Sequence, residues 1–287
     1  MRTRVAVVTL VHGRPGHLSA QHRSLAAGTR VPDDYVVVAM DDPATCSVEL
    51  EGLRRRIVRV RRERCGLPLA RARNRGVRAA LDSGADVVVC LDVDCLAGRT
   101  LVASYAEQAE AHSRAVWQGP VTYLPPPPTG GYRLDALDAL DDPHPARPAP
   151  APGERRWGGD PDLFWSLSFA MSADAWERAG GFCPEYVGYG GEDTDFGHQL
   201  VARGLELGWD GSARAYHQHH PVSRPPVEHL DDILRNAALF HRRWGCWPMT
   251  GWLEEFERLG LATYRDGRWI RVSPTEPTII TTTRRSA

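Results

Sequence analysis

The stretch "DVVVCLDVDC" (residues 86–95) decides how this chain is read. Val87 to Leu91 form a continuous apolar run rich in β-branched residues, the mark of a strand buried on both faces. Asp92 and Asp94 follow, one residue apart around Val93. A buried strand that runs out into two carboxylates either closes a loop into water or offers oxygen ligands to a hard cation such as Mg²⁺ or Mn²⁺. Acid-x-acid arises by chance in many loops, so the pattern gains its weight from its place after the strand.

The surrounding sequence repeats the theme. "RVAVVTLV" (4–11) and "DYVVVAMDD" (34–42) read as strands, and "RRIVRVRR" (55–62) alternates like a third. Between them, "GHLSAQHRSLAAG" (16–28) and "PLARARNRGVRAALDSGA" (68–85) read as helices closed by Gly28 and Gly84. Alternating strands and helices predict an α/β fold with a mostly parallel central sheet flanked by helices. In such sheets ligands bind beyond the carboxyl ends of the strands, where Asp41, Asp92 and Asp94 all fall.

The second half is less regular. "LPPPPTGG" (124–131) and "DDPHPARPAPAPGERRWGG" (141–159) exclude helix and central strand, so 124–159 is expected to form a loop or lid with a short helix near 133–140. Residues 165–182 read as a strand and then a helix, and 192–204 as a helix. "HLDDILRNAALFHRRWG" (229–245) places Leu230, Ile233, Leu234, Ala237 and Phe240 on one helical face. The expected organisation is a main domain over 1–228, a helical C-terminal extension over 229–272 packed on it, and a flexible tail over 273–287.

Composition narrows the function. The chain has 287 residues, 42% hydrophobic and 25% charged, enough for a full core. A formal net charge of -1 argues against a general nucleic-acid or membrane-surface binder. All 35 basic residues are Arg, which reflects GC-rich coding. Six Cys, at 46, 65, 90, 95, 183 and 246, show no CxxC spacing and are expected to be reduced and mostly buried. Val5 to Val11 is too short for a signal peptide, and no apolar run approaches the roughly 20 residues of a membrane helix, so a soluble cytoplasmic protein is expected.

Two more constellations carry chemistry. In "GYGGEDTDFG" (188–197), three glycines precede Glu192 and Asp193 at a helix start, where carboxylates are electrostatically favoured. Capping alone needs no such glycine turn, and a carboxylate held beside one can take a proton from an incoming hydroxyl. "AYHQHH" (215–220) has three His in four residues. It reads as a zinc site, as a surface cluster, or, preferred here, as the source of a His that joins the acids at 92–94 around one metal.

At these residues the chain resembles the inverting GT-A glycosyltransferases of family 2. Within them it is most similar to those with a galactosyltransferase-like C-terminal half, as in chondroitin polymerases and β-1,4-galactosyltransferases. The resemblance covers residues 4–220 and rests on "VVTLVHGRPGHL", "MDD", "LARARNRG", "CLDVDC", "GYGGEDTDFG" and "AYHQ", in that order. It implies a Rossmann-like GT-A fold, a nucleotide-sugar donor (UDP-linked by preference), an acceptor hydroxyl of unspecified origin, and Mn²⁺ or Mg²⁺. By the resemblance, Asp92 and Asp94 match the DXD motif, with Asp94 a direct metal ligand and Asp92 reaching the ribose or the metal. His217 matches the late metal-binding His. Asp41 matches the acid that contacts the uracil base, and Thr9 and Arg73 match positions lining the nucleotide pocket. Asp193 matches the catalytic base and Glu192 its acceptor-orienting neighbour. Tyr189 stands where relatives often have Trp, which keeps an aromatic platform for sugars. The Pro-rich stretch 124–159 has no counterpart in the family.

Two other functions fit parts of the sequence. A sugar nucleotidyltransferase would share the α/β domain and the acid pair, but "HGRPGH" (12–17) is a thin phosphate loop and "GGED" is left unexplained. A non-catalytic carbohydrate-binding protein could use the nine Trp, most of them in the second half. Slow metal-dependent hydrolysis of a sugar nucleotide separates the enzyme from the lectin.

Overall fold

The computed structural model describes residues 2–47 and 52–272. The first half runs β1 (Val5–Val11), α1 (Pro15–Ala26), β2 (Asp34–Met40), β3 (Arg55–Val60), α2 (Leu69–Leu81), β4 (Val87–Leu91), β5 (Cys95–Ala97) and α3 (Leu101–Ala111). There follow β6 (Ala115–Gln118), β7 (Val121–Tyr123), β8 (Arg155–Trp157), β9 (Ser168–Ser172), α4 (Ala173–Ala179), α5 (Glu192–Ala202), β10 (Glu206–Asp210) and β11 (Ala215–His217). The chain continues through α6 (Leu230–Trp244), α7 (Thr250–Arg258), β12 (Ala262–Arg265) and β13 (Arg268–Arg271).

Eight strands form the main sheet in the order β3-β2-β1-β4-β9-β6-β10-β8. The first four are mutually parallel, as the sequence predicts, and so are β6 and β10. The sheet is nevertheless mixed, because β9 runs antiparallel to both β4 and β6, and β8 antiparallel to β10. A parallel neighbour needs a crossover that carries the chain back across the sheet. The long Pro-rich connection before β9 instead leaves the chain to enter from the carboxyl edge of β4.

Apolar side chains alternate between the two faces of this sheet. Val8, Val38, Cys90, Phe169, Phe182 and Phe196 fill one layer with α2, α4 and α5. Val7, Val37, Val89, Tyr105 and Trp117 fill the other with α1 and α3. Helix α2 lies flat on the sheet because of Gly76. A Cβ there would come 2.5 Å from a Val8 methyl and 2.7 Å from a Val38 methyl. Gly76→Ala would lift the helix that carries Arg73.

Strand β4 ends at Leu91, where the apolar run ends, and Asp92 opens a turn that leads into a second short strand. Asp92 donates its N–H to Leu167 O at 3.0 Å, Cys95 donates to Asp92 O at 2.8 Å, and the turn so closed separates β4 from β5. A second sheet, β5-β11-β7, then sits over the carboxyl edge of the first.

The Pro-rich stretch contains a 3₁₀ helix at Leu134–Leu140, near the expected short helix, and the edge strand β8. In the C-terminal part, α6 lays Leu239 and Phe240 into the main core, and Ile233, Leu234 and Ala237 pack on Leu253 and Phe256 of α7. This part is not wholly helical: β12 and β13 pair as a hairpin. Its turn is Asp266-Gly267, both with positive φ (51° and 73°), the Asp-Gly pair that a two-residue hairpin turn favours. The expected tail over 273–287 lies outside the described residues. Cys90, Cys95 and Cys183 are buried and free, but Cys65 and Cys246 are exposed. Among the described residues, no helix is long and apolar enough to cross a membrane.

Candidate active site

Three parallel strands end at the edge where the site lies. Asp94 follows the β4 turn, and antiparallel pairing of β11 with β5 sets His217 opposite Cys95, beside it. His217 Nε2 lies 3.5 Å from Asp94 Oδ1, and His220 Nε2 lies 3.5 Å from Oδ2. The ligand atoms of Asp94, His217 and His220 all fall within 4.8 Å of one another. The Arg14 guanidinium, from the loop after β1, donates to Asp94 Oδ2 at 2.9 Å. Gln218 fixes the segment by donating its N–H to the Asp94 carbonyl at 2.6 Å, and the Tyr123 ring stacks on His217 with centroids 4.5 Å apart. Burial alone would raise the Asp94 carboxyl. The facing imidazoles of His217 and His220 and the charge of Arg14 outweigh it and hold the group well below the usual carboxylate range.

Asp92 points elsewhere. Its Oδ1 lies 3.2 Å from Nη2 of Arg73, whose Nη1 lies 3.2 Å from Glu192 Oε1. Arg73 is 5% exposed, and its guanidinium also lies over the Phe182 ring at 5.3 Å. Glu192 opens α5 directly after Gly191, whose φ of 87° is a left-handed conformation that favours glycine. Asp193 beside it accepts the N–H of Thr194 at 2.8 Å. Burial, with Asp193 adjacent, pushes the Glu192 carboxyl up to about 7 against the pull of Arg73. Burial raises Asp92 and Asp193 as well. One buried guanidinium therefore serves two acids, Asp92 and Glu192, an arrangement that costs stability and marks functional sites.

The glycine turn before α5 is held from outside. Gly188 has a φ of 78°, and a Cβ there would meet the Asp232 carboxylate at 2.2 Å. Tyr189, beyond it, donates its N–H to Asp232 Oδ2 at 3.1 Å. The Tyr189 ring stacks on His229 at 4.4 Å and faces Trp252 at 6.0 Å, so its half-exposed platform is backed by the C-terminal helices.

The remaining expected residues stand apart. Thr9 is buried in β1, and its hydroxyl has no hydrogen-bond partner among the described residues. Asp41 is exposed at the end of β2 with a φ of 47°. Its neighbour Asp42 ties the strand ends together by accepting the Gly13 N–H at 2.9 Å and the Thr45 hydroxyl at 2.6 Å. Among the described residues, no hydrogen bond or ion pair links Thr9 or Asp41 to the acids and histidines.

Of the three residues expected at a metal, Asp94 and His217 come together with His220, while Asp92 belongs to the Arg73 pair. His220 was legible in "HQHH", three residues after His217, but its choice over His219 depends on how the chain leaves β11. Arg147, from the Pro-rich stretch, had no signal in the sequence at all. It is buried, donates to Gln118 Oε1 at 3.0 Å, and stacks over Trp209 at 4.8 Å and Trp165 at 5.2 Å. Burial pulls its guanidinium down to about 10.

Comparison with known proteins agrees with this geometry in class. Residues 154–233, which include the glycine turn and α5, match the family described as the N-terminal domain of galactosyltransferase. A curated relative from Streptomyces hygroscopicus subsp. limoneus, named validoxylamine A glucosyltransferase, is 26% identical over 264 residues, 83% of this chain and 56% of the relative. The chain thus spans little more than half the length of that relative. Among solved structures, GalNAc-T7 with UDP, GalNAc and Mn²⁺ superposes with a TM-score of 0.55 at 15% identity, covering 89% of this chain and 57% of its own. The mannosyltransferase PcManGT from Pyrobaculum calidifontis, in complex with GDP-Man and Mn²⁺, gives 0.55 at 17% identity, covering 86% and 66%. The fold is that of the GT-A glycosyltransferases.

Proposed function

We propose that this chain is a metal-dependent, inverting glycosyltransferase that moves a sugar from a nucleoside-diphosphate donor, UDP-linked by the sequence resemblance, to an acceptor hydroxyl. One observation carries the reading. A hard-oxygen and imidazole set (Asp94, His217, His220) and a carboxylate pair (buried Glu192 and half-buried Asp193) meet at one sheet edge, linked through Arg73 and Asp92. The set fits a divalent ion such as Mn²⁺: it joins one carboxylate to two imidazoles, and Asp94 Oδ1 is buried without a hydrogen-bond partner. When bound, the ion would supply positive charge against the leaving diphosphate.

The chain's own residues do the rest in this reading. Asp193 takes the proton of the acceptor hydroxyl as its oxygen attacks the anomeric carbon. The bond from that carbon to the diphosphate breaks in the same displacement, which inverts configuration. Glu192, fixed by Arg73, orients the acceptor, and Tyr189 offers a ring on which a sugar can lie. Arg14 and Arg73 hold Asp94 and Asp92 in place. Asp41 lies at a strand end that would line the nucleoside, while Thr9, buried within β1, would support that edge from inside. The similarity to named glycosyltransferases supports the class of reaction, and the relatives' sugars are not carried over to this chain.

The test is nucleoside-diphosphate release from a panel of UDP- and GDP-sugars with Mn²⁺, followed by NMR of the product. Metal-dependent release from one UDP-sugar and a product of inverted anomeric configuration are expected. A retained configuration would overturn the role of Asp193, and no release from any donor would overturn the enzyme reading.

A further inference from the structure

The most unbalanced charge on this molecule lies away from the acids. Residues 54–64, "RRRIVRVRRER", hold seven Arg and one Glu in a protein whose net charge is -1. They run along β3, the outermost strand on its side of the main sheet, and through the loop beyond it. Ion pairs among the described residues leave most of this charge unmatched. Arg54 meets Asp34 at 3.2 Å, and the sole acid of the run, Glu63, is taken by Arg71 of α2 at 2.8 Å. Arg56, Arg59, Arg61, Arg62 and Arg64 are exposed and have no ion pair among the described residues.

A charge or two is enough to keep an edge strand from pairing with another chain. Five guanidiniums within nine residues, none with an ion pair among the described residues, go well beyond that and repel one another. Their direction is informative. Because β3 is parallel to β2, β1 and β4, the run heads toward the edge where the site lies. It ends against the glycine turn: Gly188 donates its N–H to Leu67 O at 2.9 Å, and a Cβ on Gly66 would come 3.0 Å from Gly188 Cα. The next residue is Tyr189. The basic row therefore leads, over about 30 Å at strand spacing, to the turn that presents Tyr189, Glu192 and Asp193.

We propose that Arg59, Arg61, Arg62 and Arg64 form a track for an acidic, linear acceptor chain whose end is delivered to the Gly188–Tyr189 turn; Arg56 shares the other face of β3 with Val58 and Val60. This rests on the glycosyltransferase reading above. Guanidiniums pair with carboxylates and phosphates alike, so the shared chemistry is a repeating anion on a flexible polymer. A flat anionic bilayer would also attract these Arg. It is disfavoured because the only apolar residues of the run, Ile57, Val58 and Val60, are turned inward to partial or full burial, and because the row ends at the site.

Binding without turnover tests the proposal. Fluorescently labelled polygalacturonate (carboxylate) and polyphosphate (phosphate) are titrated by anisotropy at two salt concentrations, with maltoheptaose as the neutral control. The triple variant Arg59→Gln, Arg61→Gln, Arg62→Gln is titrated alongside. Wild type should bind at least one polyanion and not maltoheptaose, and the polymer preferred names the anion. The variant should bind it about tenfold more weakly, with a salt dependence reduced by roughly two counterions. Equal binding by wild type and variant would overturn the track. So would variant-sensitive retention on vesicles of phosphatidylcholine and phosphatidylglycerol without polymer binding, which would make the row a membrane surface. Calorimetry of UDP with Mn²⁺ is run on both proteins. If neither binds UDP while the polymer result holds, the donor reading fails and the track stands.

Discussion

Arg73 and Glu192 meet at 3.2 Å, although 119 residues separate them in the sequence. Arg73 sits mid-helix in α2 and Glu192 at the first turn of α5, so their contact ties the two helices together beneath the site. The same guanidinium holds Asp92. Arg73→Met keeps much of the side-chain bulk and removes the charge, leaving buried Glu192 and half-buried Asp92 uncompensated. Removing one partner of a buried ion pair costs about 3–5 kcal/mol. A melting temperature lowered by several degrees is expected, more at pH 8 than at pH 5, where protonation relieves the acids. An unchanged melting temperature at pH 8 would mean that the cation does not stabilise this site.

Glu192 predicts a pH dependence of definite sign. Its carboxyl is raised from an ordinary 4.5 to about 7 in the folded protein. The folded state therefore holds a proton that the unfolded state has already released between those values. The stability from this group is complete below pH 4.5 and is lost as pH rises through 7. Glu192→Gln removes the dependence and should stabilise the protein at pH 8 by on the order of 2 kcal/mol, with little change near pH 4.5. Denaturant melts at the two pH values measure it. A variant equally less stable at both would show that Glu192 stabilises the fold as an anion.

Asp193→Asn tests the base. Asparagine keeps the size of the side chain and still accepts the Thr194 N–H, but it takes no proton from the acceptor. The expected loss in kcat is about 10²–10⁴, with UDP affinity nearly unchanged. Loss of UDP binding in step with rate would assign Asp193 to the donor site.

Metal binding separates Asp92 from Asp94, His217 and His220. Wild type should bind Mn²⁺ with UDP, and excess chelator should abolish turnover. His220→Ala and His217→Ala should each weaken Mn²⁺ binding at least about tenfold, because each removes one imidazole from the set. Asp92→Asn should weaken it less, since Asp92 faces Arg73. Electron paramagnetic resonance of free Mn²⁺ reads each of these variants and Asp94→Asn alongside. If Asp92→Asn matches Asp94→Asn while His220→Ala leaves affinity intact, the ion sits between the two acids.

What the sequence made legible follows the range of the interactions. The strands β1, β2 and β4 were plain because continuous β-branched runs report burial locally, and the acids stood out as the residues that end them. The glycine turn before Glu192 was plain because left-handed backbone is written in residue type. The direction of β9 was not, since an apolar run looks the same in either direction. Nor was the separation of Asp92 from Asp94, which depends on the register of β11 on β5 and on an Arg from α2. The β12–β13 hairpin did carry a local signal, Asp266-Gly267 between the strand-favouring Tyr264 and Trp269, although the segment is expected to be helical. Arg147 lay among prolines and carried none.

Asp195 and Arg243 test whether the C-terminal helices belong to the same folding unit. Asp195 is fully buried in α5, and a single oxygen, Oδ1, takes hydrogen bonds from Arg243 Nε at 2.6 Å, Trp244 Nε1 at 2.8 Å and the Tyr186 hydroxyl at 3.2 Å. Two of these donors come from the end of α6. Arg243→Met leaves the buried carboxylate without its cation and should cost about 3–5 kcal/mol. In Asp195→Asn the charge is gone, so adding Arg243→Met to it should cost much less than Arg243→Met alone, the non-additivity expected of residues in contact. All three variants should melt in one transition, because Phe240 of α6 lies in the same core as Phe196 of α5. If Arg243→Met instead melts in two steps, the first lost on truncation after residue 228 and the second unshifted, then α6 and α7 form a separate unit and the clasp is a contact between two domains.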